Sequence, residues 1–144
     1  MADLHQHVMR LLKSYKRWTG NDLLVPGSGA SDLAKAPFVI VSHGVEADPI
    51  LNYGNEKALE LWEMTWEQFI KTPSRLTAEA MNREERALLL ERVTRFGYID
   101  DYSGVRISAT GKKFRIEQAT VWNILDEDGD YCGQAAMFKH WKAL

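Results

Sequence analysis

The sequence predicts an α+β domain, in which a five-stranded antiparallel sheet carries short helices on one face and follows an N-terminal amphipathic helix. Three observations support this prediction. Apolar side chains recur at helical spacing near the start of the chain. Short helix signals alternate with short apolar runs in the middle, and three runs rich in aromatic and β-branched residues close the chain. A length of 144 residues suits one domain with a substantial core.

Composition narrows the classes of function. The chain carries 18 basic and 20 acidic side chains, for a net charge of -2. We therefore expect no nucleic-acid partner, because such binders concentrate positive charge. The single Cys132 excludes a disulfide scaffold, and the apolar runs are far shorter than the roughly 20 residues that cross a bilayer. Because the N-terminus lacks signal-peptide features, the sequence predicts a cytoplasmic protein without membrane contact.

Residues 1–19 form the predicted N-terminal helix. Its apolar stripe and basic outer side are typical of a helix that packs on another surface. That surface is the rest of the chain or a second copy, with a membrane surface as the less favoured alternative. We assign the stripe to a homodimer interface, formed by Leu4, Val8, Leu11, Tyr15 and Trp18. Residues 20–37 contain several Gly and Pro, which predicts a linker before the main domain at 38–144.

Two short strands and two short helices follow the linker. Residues 38–42 and 49–53 have the composition of strands and are joined by a turn. Asn55 can cap a helix over 56–64, because an Asn side chain accepts hydrogen bonds from backbone N–H groups at a helix start. A capping box that begins at Thr65 predicts the second short helix.

A longer helix and a three-stranded meander complete the prediction. Acidic residues in the first turn and apolar residues at helical spacing predict a helix over 82–96, which Gly97 ends. Residues 98–108, 113–125 and 131–141 then form three consecutive strands joined by tight turns. The two early strands can extend this meander into one five-stranded sheet.

This order of elements is that of a PAS domain. The passage PILNYGN (49–55), followed by ALELW (58–62), also resembles the PAS pattern in which a strand ends at Asn before an Ala/Leu helix. Within that superfamily the chain resembles the MEKHLA domain family. This family is known as stand-alone bacterial and algal proteins and as the C-terminal domain of plant class III homeodomain leucine-zipper proteins. The resemblance is to the stand-alone bacterial type. The matching strings are HGVEADP (43–49), WEMTW (62–66), PSRLTAE (73–79), NREER (82–86) and YIDDYSGVRIS (98–108). The resemblance implies a PAS-like domain with a sensory or interaction role.

A PAS-like sheet and its helices enclose a space, and the sequence tests which cofactors could occupy it. Haem sensors of the common kind ligate iron through a His on the helix before the meander, but no His occurs between residues 44 and 139. Covalent flavin photochemistry needs a Cys within an Asn-Cys-Arg-Phe string on a helix, whereas Cys132 lies in the last predicted strand. The sequence argues against both groups and leaves non-covalent flavin binding open.

Aromatic side chains could form the walls of a small-ligand pocket. The predicted pocket consists of Trp62, Trp66, Phe69 and Trp122 as walls, with Arg75, Asn82 and Gln118 as polar anchors. By strand alternation, Gln118 shares a face with Ile116 and Trp122, and a buried polar group without a partner costs about 1–3 kcal/mol. The alternative is that the rings only fill the core and that Gln118 is exposed or bonded to the backbone.

We expect a non-enzymatic sensory or interaction module, because no nucleotide-binding loop, nucleophile elbow or metalloprotease motif follows a predicted strand. One alternative is a small enzyme in which His43 works with Asp48 or Asp101 as acid and base. Another is a redox sensor that holds a flavin non-covalently. Three aspartates within 126–130 resemble the start of a calcium loop, but its Gly and Glu positions are not matched, so we predict a hairpin turn and no metal.

Overall fold

A computed structural model describes residues 2–78 and 80–144, with side chains described except at 2, 3, 80–83 and 86. The helices are α1 (Ala2–Thr19), α2 (Ala30–Ala34), α3 (Glu56–Trp62), α4 (Trp66–Phe69) and α5 (Ala80–Phe96), with a 3-10 turn at Ser74–Thr77. The strands are β1 (Val39–His43), β2 (Leu51–Gly54), β3 (Tyr98–Ile107), β4 (Lys113–Leu125), β5 (Tyr131–Phe138) and β6 (His140–Ala143). The predicted α+β order is confirmed.

All strand pairs are antiparallel, and the strands lie side by side in the order β2-β1-β5-β4-β3. The sequence predicts one last strand over 131–141, whereas the structure divides it at Lys139 into β5 and β6. Both pieces pair with β4, β5 with its second half and β6 with its first half. The sixth strand is thus a continuation of the fifth along the same neighbour.

A bulge in β4 explains the division and changes the faces of the strand. Gln118 has a φ of 50°, and the pairing of β4 with β3 shifts register around it. One extra residue in a strand inverts the alternation beyond it. Phe114 and Ile116 therefore pack on one face of the sheet, whereas Trp122 and Ile124 pack on the other. The expectation that Gln118 shares one face with both Ile116 and Trp122 is wrong, because those two side chains lie on opposite faces.

Helix α1 covers the face of the sheet that carries Trp122, here called the outer face. Val8 and Leu11 have no exposed surface and pack in one cluster with Trp122. Polar contacts hold the helix along β4, because Trp18 Nε1 donates to the carbonyl of Asn123 at 2.9 Å. Ser14 Oγ accepts a hydrogen bond from the backbone N–H of Leu125 at 2.8 Å.

Short helices α3 and α4 and the longer α5 cover the opposite face, here called the inner face. Two predicted caps position the short helices: Asn55 Oδ1 accepts from the N–H of Ala58 at 3.2 Å, and Thr65 forms its capping box with Gln68. Trp62 and Phe69 are thereby buried against the sheet. Along the part of the chain that the structure describes, no helix is long and apolar enough to span a bilayer.

The predicted linker contains α2, which packs on the domain. Leu33 of α2 is fully buried in the outer-face cluster. Asn55 Nδ2 donates to the carbonyls of Leu33 and Phe38, at 3.4 and 2.7 Å. The same side chain therefore caps α3 and holds the end of the connecting segment. The division of the chain into 1–19, 20–37 and 38–144 stays a prediction.

Candidate ligand cavity

A cavity of about 60 Å³ lies between the inner face and the helices. Its walls come from strands β1 to β5, from helices α3 to α5 and from the 3-10 turn. Most of the wall is apolar, with Val41, Leu51, Phe69, Ile116, Val121 and Phe138 among the lining side chains. Its size corresponds to about two water molecules by their share of the liquid, about 30 Å³ each. The cavity therefore suits a very small ligand.

Tyr102 and Arg106, four residues apart on β3, contribute polar groups to the cavity wall. Arg106 is 7% exposed, and its Nη2 donates to the hydroxyl of Tyr102 at 3.0 Å. The guanidinium carbon also lies 5.4 Å from the centroid of the Tyr102 ring, within cation-π range. Gly104 lies between them, and a Cβ at this position would collide with the Tyr102 hydroxyl. Glycine thus allows the ring to lie along the strand and reach the guanidinium.

A second polar group links the cavity to α5 and β4. Gln134 is 2% exposed and lines the cavity. Its Nε2 donates to the carbonyl of Leu90 at 3.1 Å, to Thr94 Oγ1 at 3.0 Å and to Asn123 Oδ1 at 3.1 Å. Asn123 Nδ2 in turn donates to the carbonyl of Val93 at 2.9 Å. These bonds give partners to both amide nitrogens and to the side-chain oxygen of Asn123, as burial requires.

Two further buried groups line the cavity. His43 is 7% exposed, and its Nδ1 donates to the carbonyl of Gly44 at 2.9 Å. Trp62 is 2% exposed, and among the residues that the structure describes its Nε1 has no hydrogen-bond partner. The rings of Phe69, Phe114 and Phe138 meet the Trp62 ring at steep angles. Trp62 therefore belongs both to the core and to the cavity wall.

Of the seven predicted pocket residues, Trp62 and Phe69 line the cavity. Trp122 lies on the outer face, where its ring centroid is 5.0 Å from that of Tyr15. Trp66 packs edge-on against Tyr53 in the same outer-face cluster. The notion of a shared interior for Trp62, Trp66 and Trp122 is therefore wrong, since the sheet separates Trp62 from the other two rings.

The predicted polar anchors fall elsewhere. Arg75 forms a surface ion pair with Asp48, with Nε and Oδ2 3.1 Å apart. Gln118 is exposed at the bulge of β4, as the alternative reading allowed. Asn82 lies outside the residues whose side chains are described. The polar wall is made instead by Arg106, Tyr102 and Gln134, none of which we predicted as site residues.

The five stripe residues of α1 lie against the chain's own sheet. Val8 and Leu11 are fully buried there, and Leu4, Tyr15 and Trp18 pack around them. A dimer interface made of these side chains would require α1 to leave the sheet. Homodimerisation through the stripe stays a prediction, and it requires α1 to separate from the sheet of its own chain.

The acid and base candidates of the enzyme alternative occupy different environments. His43 is buried beside the cavity, Asp48 faces Arg75 at the surface, and Asp101 is exposed on β3. The aspartates at the β4–β5 connection form the predicted turn, because Asp126 Oδ1 accepts from the N–H groups of Asp128 and Asp130 at 2.9 and 3.0 Å. Their carboxylates lie within 4.8 Å of one another.

The cavity also bears on the cofactor hypotheses. Pockets for drug-sized molecules measure roughly 300–1,000 Å³. A flavin ring system would thus require this interior of about 60 Å³ to enlarge several-fold. Cys132 packs with the outer-face cluster, on the side of the sheet away from the cavity, and burial raises the pKa of its thiol. Neither arrangement favours a flavin, bound covalently or otherwise.

The sheet order, with helices over one face and a cavity beneath them, defines a PAS-like fold. The PAS domain of a protein from Colwellia psychrerythraea matches with a TM-score of 0.64 and 17% identity, over 80% of this chain and 92% of that chain. A light-oxygen-voltage domain studied with a flavin analogue matches with a TM-score of 0.56 and 16% identity, over 80% of this chain and 83% of that chain. At such identities the likeness shows the fold alone.

The MEKHLA domain family model matches residues 5–143, so the chain belongs to the MEKHLA domain family. It is 27% identical over 137 residues to the homeobox-leucine zipper protein ATHB-14 of Arabidopsis thaliana, and 27% identical over 135 residues to HOX32 of Oryza sativa subsp. japonica. Each match covers 90% of this chain and 16% of the relative's length. The predicted resemblance is confirmed.

Proposed function

We propose that this chain is a non-enzymatic sensory module that binds a small ligand in the inner-face cavity and alters the docking of α1 on the outer face. The observation that carries the proposal is the cavity itself. Buried polar side chains, Arg106 and Gln134 among them, border a space of about 60 Å³ in an otherwise apolar interior. Apolar walls with a few oriented polar groups are typical of ligand sites.

A chain of hydrogen bonds supports communication across the sheet. Gln134 borders the cavity and donates to Asn123, whose backbone carbonyl accepts from Trp18 of α1. Asn123 therefore contacts α5 through its side chain and α1 through its carbonyl. A ligand that shifts Gln134 would change how Asn123 presents that carbonyl.

The docked and undocked arrangements of α1 are the two states of the proposed switch. A ligand shifts such an equilibrium only by the difference between its affinities for the two states. The docked state buries the stripe of α1, and the undocked state exposes Trp122 and its neighbours to solvent or to another surface. In this mechanism the ligand changes the packing between the inner-face helices and the sheet, on the opposite side of the sheet from Trp122.

A thermal-shift screen with small metabolites tests ligand binding. The matched variants are Ala136→Leu, which places a larger side chain on the cavity wall, and Ala143→Leu, an exposed position in β6. A compound that raises the Tm of the native protein and of Ala143→Leu, but not of Ala136→Leu, supports binding in the cavity. A screen in which no compound distinguishes the variants contradicts the proposal.

Hydrogen exchange of α1 tests the switch. With a ligand from the screen, amide exchange in α1 should change by several-fold, and the change should disappear in Asn123→Ala, which removes the link to Gln134. Exchange that changes only in α5 and β3 would leave ligand binding intact but would contradict communication with α1.

We also propose that two copies associate in the cytoplasm by exchanging α1, so that each helix covers the outer face of the other copy. Such an exchange preserves the contacts that the stripe makes within one chain, and an extended 20–37 segment would allow it. Size-exclusion chromatography with light scattering tests this step. A monomer at all protein concentrations, with and without ligand, contradicts it.

A further inference from the structure

We propose that the ligand of the inner-face cavity is a short aliphatic monocarboxylate, whose carboxylate binds the guanidinium of Arg106. The inference rests on the proposed function, since it names the chemical class that the cavity would accept. The observation that supports the inference is the environment of the buried Arg106 side chain.

Arg106 lies in the cavity wall and, among the residues that the structure describes, uses two of its five N–H donors. Its recorded hydrogen bonds are from Nη1 to the carbonyl of Val105 at 2.9 Å and from Nη2 to Tyr102 at 3.0 Å. An arginine side chain has five N–H donors and stays charged in proteins. Among the residues that the structure describes, no carboxylate lies within ion-pair distance of Arg106.

A buried cation without a counter-charge is costly. Moving an ion out of water carries a large penalty, which an anion at the same site offsets. Arginine side chains stay charged in proteins, so a buried guanidinium keeps its need for a counter-charge. A guanidinium also presents paired N–H groups that match the two oxygens of a carboxylate. The chemistry of the wall therefore favours an anion with a carboxylate head.

The rest of the cavity selects the remainder of the ligand. The lining includes the apolar side chains of Leu51, Phe69 and Leu89, and the described lining residues include no Asp, Glu or Lys. Trp62 supplies one additional N–H that lacks a partner among the described residues. A second carboxylate on the ligand would find no further Lys or Arg among the described lining residues. One anionic head and a short alkyl group fit this pattern.

The volume limits the length of the alkyl group. At roughly 25 Å³ for each non-hydrogen atom, acetate or propionate needs about twice the 60 Å³ of the cavity, so binding requires a small outward movement of the inner-face helices, and longer chains are excluded. Propionate, propionamide and nitrate make a decisive set of probes. Propionamide has nearly the same shape as propionate without the charge, and nitrate has a planar charged head without the alkyl group.

Isothermal titration calorimetry of the native protein with the three probes is the first test, at constant ionic strength. We expect propionate to bind at least about tenfold more tightly than propionamide, because hydrogen bonds between charged groups are the stronger ones. We expect it to bind more tightly than nitrate as well, because nitrate leaves the apolar wall unfilled. Equal affinity for propionate and propionamide, or stronger binding of nitrate, overturns the inference.

Two variants locate the binding. Arg106→Met should weaken propionate binding at least about tenfold, whereas Arg115→Met, at an exposed position of β4, should leave it unchanged. Circular dichroism checks that both variants fold, and the comparison of probes on the native protein stands without them. Propionate binding that survives Arg106→Met overturns the inference. If propionate does not bind but a neutral metabolite from the thermal-shift screen does, the carboxylate inference is wrong and the sensory proposal is still supported.

Discussion

The two faces of the sheet differ in how they are covered. On the outer face the long helix α1, with the short α2 beside it, covers an apolar cluster, and the polar contacts of α1 reach groups at the end of β4. On the inner face several helices and a 3-10 turn leave a cavity bordered by a cation and a network of amides. One long amphipathic helix can match a strand surface closely, whereas short helices meeting at angles leave gaps. We therefore expect the outer face to contribute more to stability than the inner face, where the proposed ligand site lies.

Removal of a ring from the outer face should have the largest effect. Trp122 is fully buried between α1 and the sheet. We expect Trp122→Ala to lower the free energy of unfolding by about 3–5 kcal/mol, because the lost contacts leave a cavity. Urea denaturation measures the change. Trp141→Ala, at a partly buried position on the other cluster, is the control and should cost less. Equal losses would contradict the importance assigned to the outer face.

The contact between the end of α5 and α1 can be tested at Gly97. Its φ is 94°, and a Cβ there would lie 2.6 Å from the ring of Trp18. We expect Gly97→Ala to cost about 2–4 kcal/mol, from backbone strain and from displacement of the ring. Gly111 has a similar φ of 92° with nothing within 4 Å of such a Cβ. Gly111→Ala should therefore lose stability from backbone strain alone. If thermal or urea unfolding shows the same loss of stability for Gly97→Ala and Gly111→Ala, the Trp18 contact contributes nothing.

Acid should loosen the outer face first, through His7. Its Nε2 lies 2.9 Å from Ser42 Oγ, and burial, followed by the nearby charge of Arg10, lowers the pKa of His7 to about 4. Because the unfolded chain protonates this group near its usual pKa of 6.5, stability should fall as the pH drops from 6.5 to 4. The loss is on the order of 2–3 kcal/mol.

His7→Gln should flatten this part of the stability profile, measured by urea denaturation at several pH values. The exposed residue His5 provides the control, and His5→Gln should leave the profile unchanged. Parallel profiles for the native protein and His7→Gln would show that another group causes the acid sensitivity.

The smallest effect should come from the ion pair at the rim of the outer face. Arg10 Nη2 lies 2.8 Å from Glu127 Oε2, and the hydrogen bond from Arg10 lowers the pKa of Glu127 to about 2. A carboxyl group whose pKa is lower in the folded state stabilises the fold at pH values above its unfolded pKa, near 4.5. This stabilisation is lost as the pH falls towards 2. Glu127→Gln should lower the Tm slightly at neutral pH in low salt, and 1 M NaCl should abolish the difference. A difference that persists in high salt would contradict a solvent-exposed pair.

Local signals made most of the fold predictable. The caps at Asn55 and Thr65 and the stop at Gly97 depend on neighbours a few residues away, so the sequence displays them directly. The meander is visible because its three runs are long and its turns are short. Two pocket residues, Trp62 and Phe69, were predictable for the same reason, since the helices that carry them have clear starts.

The rest of the site depends on pairing between distant strands. Arg106 is a basic residue within a predicted strand, and nothing in the neighbouring sequence marks it as a buried group. The structure pairs it with Tyr102 because both project from the inner face of β3. Gln134 gave no local sign of its role, since its partners lie 11 to 44 residues away in the chain.

By itself, then, the sequence determines the order of the elements, the amphipathic character of α1 and the PAS-like class, because caps, turns and periodicity act over a few residues. The tertiary structure decides which side chains meet. A bulge at Gln118 inverts the faces of β4, so that Trp122 lies under α1 and not beside Trp62. Register is set by the pairing of whole strands, and a shift of one residue exchanges the two faces of everything beyond it.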